Sequence, residues 1–441
     1  MAGGTFQAHN KIRPGAYINF KAVTQPKTNL GTRGVVTLPV ALGWGAEITE
    51  LYSTELLDGK SLVKVGFTAM SEEGLFVREA LKNAYKAIVY RLDTGGDKAT
   101  AAIAPLTATA KYAGVVGNKL SIAVIANGES FDVITMYDGA EVDKQTSKTA
   151  DALVDNDWVE FGGEGNLAAS AGVNLTEGAN GTVSSENYTT YLEKIAAYKW
   201  DTMAIPYNEP SVNTAVVTFI KKQREELGKK VQAVLYNSDA DYEGIISLAQ
   251  GYKTENETVS PEAFTAYFAG LTAGSSVNVS NTYHVIENAL SIVYPSGVSP
   301  YTEEVIIEKL KAGKLVLSTR QDGAVVVEQD INTLHTFDDK NKSFSKNRVI
   351  RTLDEISNTI AFTFERSYIG KVANDEDGRN IFKSDIISYL NTLQEMSAIR
   401  DFNSSTDIQV YAGTDIDTVV ADLAIWPVDS MEKLYLTVVV G

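Results

Sequence analysis

Three histidines, His9, His284 and His335, are the whole imidazole inventory of this 441-residue chain, which has no cysteine. None stands in the His-Glu-x-x-His spacing that turns two imidazoles and a base toward zinc on one helix face. Without thiols, disulfides and thiolate metal sites are excluded as well. Gly163-Glu164-Gly165-Asn166-Leu167-Ala168 spells a loose dinucleotide fingerprint behind a strand. Only Leu167 to Ala171 follow before the next glycine, too little for the helix that would face a pyrophosphate. Thr94-Gly95-Gly96-Asp97-Lys98 imitates a phosphate loop but lacks the adjacent Gly-Lys pair and the hydroxyl residue behind it. Two acidic loops, Asn374 to Gly378 and Asn237 to Glu243, look like calcium loops. Ala373 and Ser384 stand where the first needs its first and twelfth ligands, and Tyr242 stands where the second needs glycine. Asp354 and Glu355 are neighbours on a helix, point apart, and cannot share a proton as a catalytic dyad. The expectation is therefore no catalytic, cofactor-binding or metal residue, and no enzyme.

Charge is the other chemistry. In a chain of net charge −17, Lys340, Lys342, Lys346, Arg348 and Arg351 gather ahead of and inside a helix start. Cations there oppose the helix macrodipole, so they read either as a solvated basic turn or as a contact for an acidic partner surface. The element carrying them is the clearest in the chain. Val349, Leu353, Ile356, Ile360 and Phe364 recur at helical spacing, turn-forming residues interrupt at Gly370 and from Asn374 to Gly378, and Phe382, Ile386, Leu390, Leu393 and Met396 resume it. This predicts a helical hairpin. Strands Asp407 to Tyr411 and Val419 to Trp426 follow, then a last apolar strand from Glu432 to Val440 with Leu434, Leu436 and Val438 as candidate subunit contacts. Such an unpaired strand invites association, although it could pair within its own domain. At the other end, Met1 to Thr32 has too little apolar content to fold alone. Tyr17, Ile18 and Phe20 could add a strand to another sheet edge, or the segment could fray.

Between these ends the length demands two or three domains. A strand from Arg33 to Val40, a helix from Ser71 to Ala84 and a strand from Lys86 to Leu92 open an α/β unit. Short strands Leu120 to Ile125, Phe131 to Tyr137 and Trp158 to Phe161, divided by Asn127-Gly128 and Asp138-Gly139 turns, form an inserted antiparallel β domain. Gly172 to Gly181 reads as the returning linker. Helices Tyr188 to Tyr198, Val212 to Leu227 and Asp241 to Gly251 then alternate with strands Thr202 to Pro206 and Val231 to Tyr236, which argues for a mainly parallel sheet. Ser260-Pro261-Glu262 caps a further helix, Thr302 to Ala312 forms another, and Leu315 to Thr319 with Ala324 to Asp330 makes a hairpin. The expected organisation is an arm (1–32), an α/β domain (33–97 and 176–330), an inserted β domain (98–175) and a C-terminal α+β domain (331–441). No apolar run approaches the roughly 18 residues of a membrane span, Met1 to Phe20 lacks a signal-peptide centre, and the acidic balance disfavours nucleic acid as a partner.

The order Asp330-Ile331-Asn332-Thr333-Leu334, then Lys342 to Ile356, Tyr368-Ile369-Gly370-Lys371-Val372, Gly378 to Ile386 and Tyr389 to Gln394, closely resembles the C-terminal domain of contractile phage tail sheath proteins. Tyr112 to Asn118 resembles that family's Tyr-x-Gly-x-x-Gly-Asn segment. Leu175 to Gly181 resembles its Leu-Thr-Gly-Gly-x-Asp-Gly run, with Glu177 for the first glycine and Asn180 for the acid. The resemblance implies a virion structural protein of a myophage, prophage or phage-like bacteriocin. Its copies would stack as hexameric rings in a helical assembly around a tail tube, with baseplate and tail terminator proteins as further partners. It also implies terminal strands exchanged between copies, assembly in the host bacterial cytoplasm, and contraction that drives the tube through the cell envelope for genome ejection. An α/β enzyme with an unrecognised site and an acidic surface-lattice protein are the alternatives.

Overall fold

A computed structural model describes residues 2–4, 15–17, 33–69 and 71–440. They fall into two compact units, one spanning 33–358 with 427–440 and one comprising 2–4, 15–17 and 359–426. The larger is built on a seven-stranded sheet: β1 (Val35–Val40), β2 (Ile48–Tyr52), β3 (Lys86–Arg91), β4 (Thr202–Ile205), β5 (Gln232–Tyr236), β6 (Ile245–Leu248) and β7 (Lys314–Leu315). The order is β7-β6-β5-β4-β1-β3-β2, parallel throughout except where β2 runs against β3. Alternate side chains of a strand face opposite ways. Val36, Leu38 and Val40 join one core with Val77 and Leu81 of α1 (Leu75–Leu81) and with Phe264 and Phe268 of α4 (Pro261–Gly274). Ile88, Tyr90, Met203 and Ile205 join the other, with Tyr191 and Ile195 of α2 (Ser185–Ile195) and Val216 and Ile220 of α3 (Pro210–Lys221).

The expected helix from Asp241 to Gly251 is instead β6, whose four residues are all buried. A strand covered on both faces shows a continuous apolar run, and over so short a stretch that pattern does not separate helix from strand. The helix capped by Ser260 forms as expected: the Ser260 hydroxyl accepts from Ala263 N at 3.2 Å and Pro261 is the first helical residue. Its glycines have a packing role, since a Cβ on Gly270 would lie 2.0 Å from the Ala80 carbonyl oxygen and one on Gly274 2.1 Å from that of Asn83. Only glycine lets the two backbones approach so closely.

One buried charge lies at this contact. Glu79 is fully buried, accepts from the Tyr252 hydroxyl at 2.6 Å and pairs with Lys82. Burial raises its pKa above the ordinary carboxylate value, against the opposing pull of Lys82 and Tyr252. An acid raised in the folded state costs stability as pH climbs through that raised value, and the cost vanishes below its unfolded value. The unfolding free energy of Glu79→Gln should therefore gain on that of the parent as pH rises from about 4.5 to 7.5. Denaturant titrations at the two pH values check this, and a constant difference between the proteins would refute it.

The inserted region is a pair of packed antiparallel sheets. One has the order Ala140–Ser147, Ser130–Tyr137, Leu120–Asn127, Ser170–Asn174; the other has Val159–Gly162, Leu106–Ala110, Thr100–Ile103. The Asn127-Gly128 and Asp138-Gly139 pairs make the turns, with positive φ at Gly128, Asp138 and Gly139. Trp44, from the segment after β1, enters this core beside Tyr112 and Trp158, at ring separations of 5.2 and 5.6 Å. The returning linker is pinned: Thr176 exchanges backbone hydrogen bonds with Thr100, Ala179 with Asp97, and the Asn180 side chain accepts from Val115 N at 2.9 Å.

Helix α5 (Asn347–Ser367) starts in the larger unit and continues into the smaller, which also holds α6 (Glu376–Glu395) and the antiparallel pair β8 (Ile408–Ala412) and β9 (Val419–Leu423). Phe364 and Tyr368 meet Phe382 at 5.1 and 4.8 Å, which closes the predicted helical hairpin. Among the described residues β8 and β9 form a two-stranded sheet.

Candidate assembly interface

Residues 428–440 belong to no helix or strand. The strand expected from Glu432 to Val440 is therefore absent from the single chain, and its apolar side chains are bare: Leu434, Leu436 and Val438 are 85%, 75% and 70% exposed, and Tyr435, Val439 and Val440 are as open. A strand is made by its partner's hydrogen bonds, and none of the described strands supplies them here. The ribbon β8–β9 has the complementary deficiency. Two strands alone are marginal in water, and most of their side chains are only partly covered. A groove of about 550 Å³ lies nearby, lined by Phe364, Tyr368, Val372, Phe382, Ile416 and Val419 with Arg379 and Asp417. At the N-terminal end, Gly15–Tyr17 pairs in parallel with Ala2–Gly4. Ile18 and Phe20 lie outside the described residues.

The five cations do not form the exposed patch that the sequence suggested. Arg351 is completely buried, 3.2 Å from Asp330 and donating to the Val279 carbonyl at 2.7 Å. Arg348 is buried too, with the Asp429 charge close enough to act on it. Lys340 pairs with Glu243 at 2.6 Å, and Lys346 pairs with Glu432. Lys342 is the member that remains exposed. The reason is tertiary: α5 turns Arg348 and Arg351 toward the body of the larger unit, where Asp429 and Asp330 from other segments face them.

The other chemical candidates are also occupied by structure. His284 lies 3.3 Å from the Tyr267 hydroxyl, His335 lies 2.9 Å from the Thr333 carbonyl oxygen, and His9 is outside the described residues. Asp375 caps α6 by accepting from Gly378 N at 2.8 Å, and Asp241 accepts from His335 N at 2.7 Å. Asp354 binds Arg224 while Glu355 turns to Arg33 at 3.5 Å, so the two carboxylates diverge. Residues 41–45 follow β1 and lie at the C-terminal end of its neighbour β3. There the Asp93 carboxylate accepts from Leu42 N at 3.0 Å and Gly43 N at 2.7 Å, while Arg91 donates to Asp93 and to the Gly45 carbonyl. Sequence reasoning missed this lock. Its signal was the Arg91-x-Asp93 pair leaving a central strand beside Gly43 and Gly45.

Three family models match the chain: a phage tail sheath C-terminal domain over 339–441, a phage tail sheath central domain over 181–333 and a phage tail sheath β-sandwich domain over 94–180. The chain is 36% identical to the phage-like element PBSX protein XkdK of Bacillus subtilis, with all of both chains covered. It is 30% identical over 50% of its own length, and 60% of the relative's, to the tail sheath protein of Clostridium phage phiCD119. The crystal structure of a sheath tail protein from Desulfitobacterium hafniense superposes with a TM-score of 0.82 at 39% identity, over 96% of this chain and 99% of that one. The contracted helical sheath of the anti-feeding prophage shares the fold, with a TM-score of 0.58 at 13% identity over 97% and 99%.

Proposed function

Because the chain belongs to the phage tail sheath family, we propose that its copies polymerise as stacked hexameric rings around a tail tube. Their shortening drives that tube through a target envelope. The observation that carries this reading is the pairing of deficiencies among the described residues: an apolar segment, 433–440, without a strand partner, and a ribbon, β8–β9, of only two strands. Leu434, Leu436 and Val438 of one copy, with Tyr17, Ile18 and Phe20 of another, extend the ribbon of a third by main-chain hydrogen bonding. Order in the array then comes from neighbours, and covalent arms keep copies joined while their bodies rotate.

Tube, baseplate and tail terminator proteins are the other partners, and assembly takes place in the bacterial cytoplasm. Lys342 is the remaining candidate for an electrostatic contact with the tube or an acidic neighbour. No nucleotide enters this scheme, since templating on the tube stores the energy in the longer array. Negative-stain images of the concentrated protein test the reading. Striated tubes or rings are expected; flat sheets would favour a surface lattice, and monomers stabilised by a small ligand an enzyme.

A further inference from the structure

We infer that Lys346 and Thr282 are positioning residues that grip Glu432 and fix the root of the 433–440 segment, so that it leaves the larger unit from one defined point. The inference rests on the proposed strand exchange and names what presents the strand. Both oxygens of the Glu432 carboxylate are used: Oε1 accepts from the Thr282 hydroxyl at 2.8 Å, and Oε2 pairs with the Lys346 ammonium. The Lys346 and Glu432 side chains are only 17% and 10% exposed, so salt screens the pair weakly. Three residues earlier, Asp429 is partly buried, within reach of the charges of Lys346 and Arg348.

The receiving groups are themselves fixed. Asp330 N donates to the Thr282 hydroxyl at 2.9 Å, and the Asp330 carboxylate takes Asn281 N at 2.9 Å, the Asn347 amide at 2.9 Å and Arg351 at 3.2 Å. Two of the cations at the α5 start, Lys346 and Arg351, thus have an occupation: they belong to the network that ends on the tail. Immediately past Glu432 every side chain is exposed. Ordering the root before a neighbour arrives removes part of the entropy that strand exchange must otherwise overcome.

The absence of cysteine allows a unique spin label at Lys433→Cys in the full-length protein, kept dilute so that it is unassembled. Glu432→Gln in that background should make the label tumble several-fold faster, with the thermal transition unchanged, and should slow polymerisation followed by light scattering. The exchange Lys346→Glu with Glu432→Lys should return both values toward the parent. Label motion in Glu432→Gln as slow as in the parent would overturn the inference. Strand exchange itself fails separately, if a chain lacking 433–441 still polymerises.

Discussion

Deletion of residues 433–441 is expected to leave a chain that folds with an unchanged melting temperature and forms no tubes at any concentration. The first half follows from exposure: Leu434, Tyr435, Leu436, Val438, Val439 and Val440 are 70–90% exposed among the described residues, so removing them forfeits no core contact there. The second follows from what they stand to gain elsewhere. Burying a leucine or valine contributes about 1.5–3 kcal/mol, and each main-chain hydrogen bond of an added strand about 0.5–1.5 kcal/mol. A segment carrying Leu434, Leu436 and Val438 on one face therefore offers several kcal/mol per junction, repeated at every copy of the array. Sedimentation velocity and electron microscopy of the truncated protein decide the matter. Normal striated tubes would end the strand-exchange mechanism, and a lowered melting temperature would show that the segment packs at home.

How much of this was legible beforehand depends on how local each cause is. The hairpin of α5 and α6 was visible because its period, its Gly370 break and its Asp375 cap lie within the segment itself. The exposed tail was visible as an apolar run, although its lack of a strand partner among the described residues appears only in the fold. The basic cluster misled because its neutralising acids are remote. Asp330 is 21 positions from Arg351, and Glu432 is 86 from Lys346. Composition shows five cations at a helix start but not which carboxylates fold back onto them. Strand β6 misled for the opposite reason: Ile245, Ile246 and Leu248 are apolar on both faces because both faces are covered, and local periodicity carries no sign of that.

The same remoteness marks the largest stability effect we expect. Arg224, just past α3, lies 130 positions from Asp354 of α5, yet the two form a bidentate pair at 2.6 and 2.8 Å with both side chains almost wholly buried. Burial disfavours the charged guanidinium, but the Asp354 carboxylate more than compensates and holds its pKa above the ordinary value. Arg224 also donates to the Val231 carbonyl at 2.9 Å, and Asn358 one turn further along α5 brackets Lys230 through both its amide groups. These bonds attach the first turns of α5 to the end of the central sheet. Arg224→Met strands a buried carboxylate and should cost about 3–5 kcal/mol, read as a lowered guanidinium midpoint. The pair replaced together, Arg224→Met with Asp354→Leu, should recover most of that loss, because a buried ion pair repays little beyond its own desolvation. A single variant as stable as the parent would mean that water reaches the pair. A double variant as weak as the single would mean that the hydrogen-bond geometry, rather than the uncompensated charge, attaches α5 to the sheet.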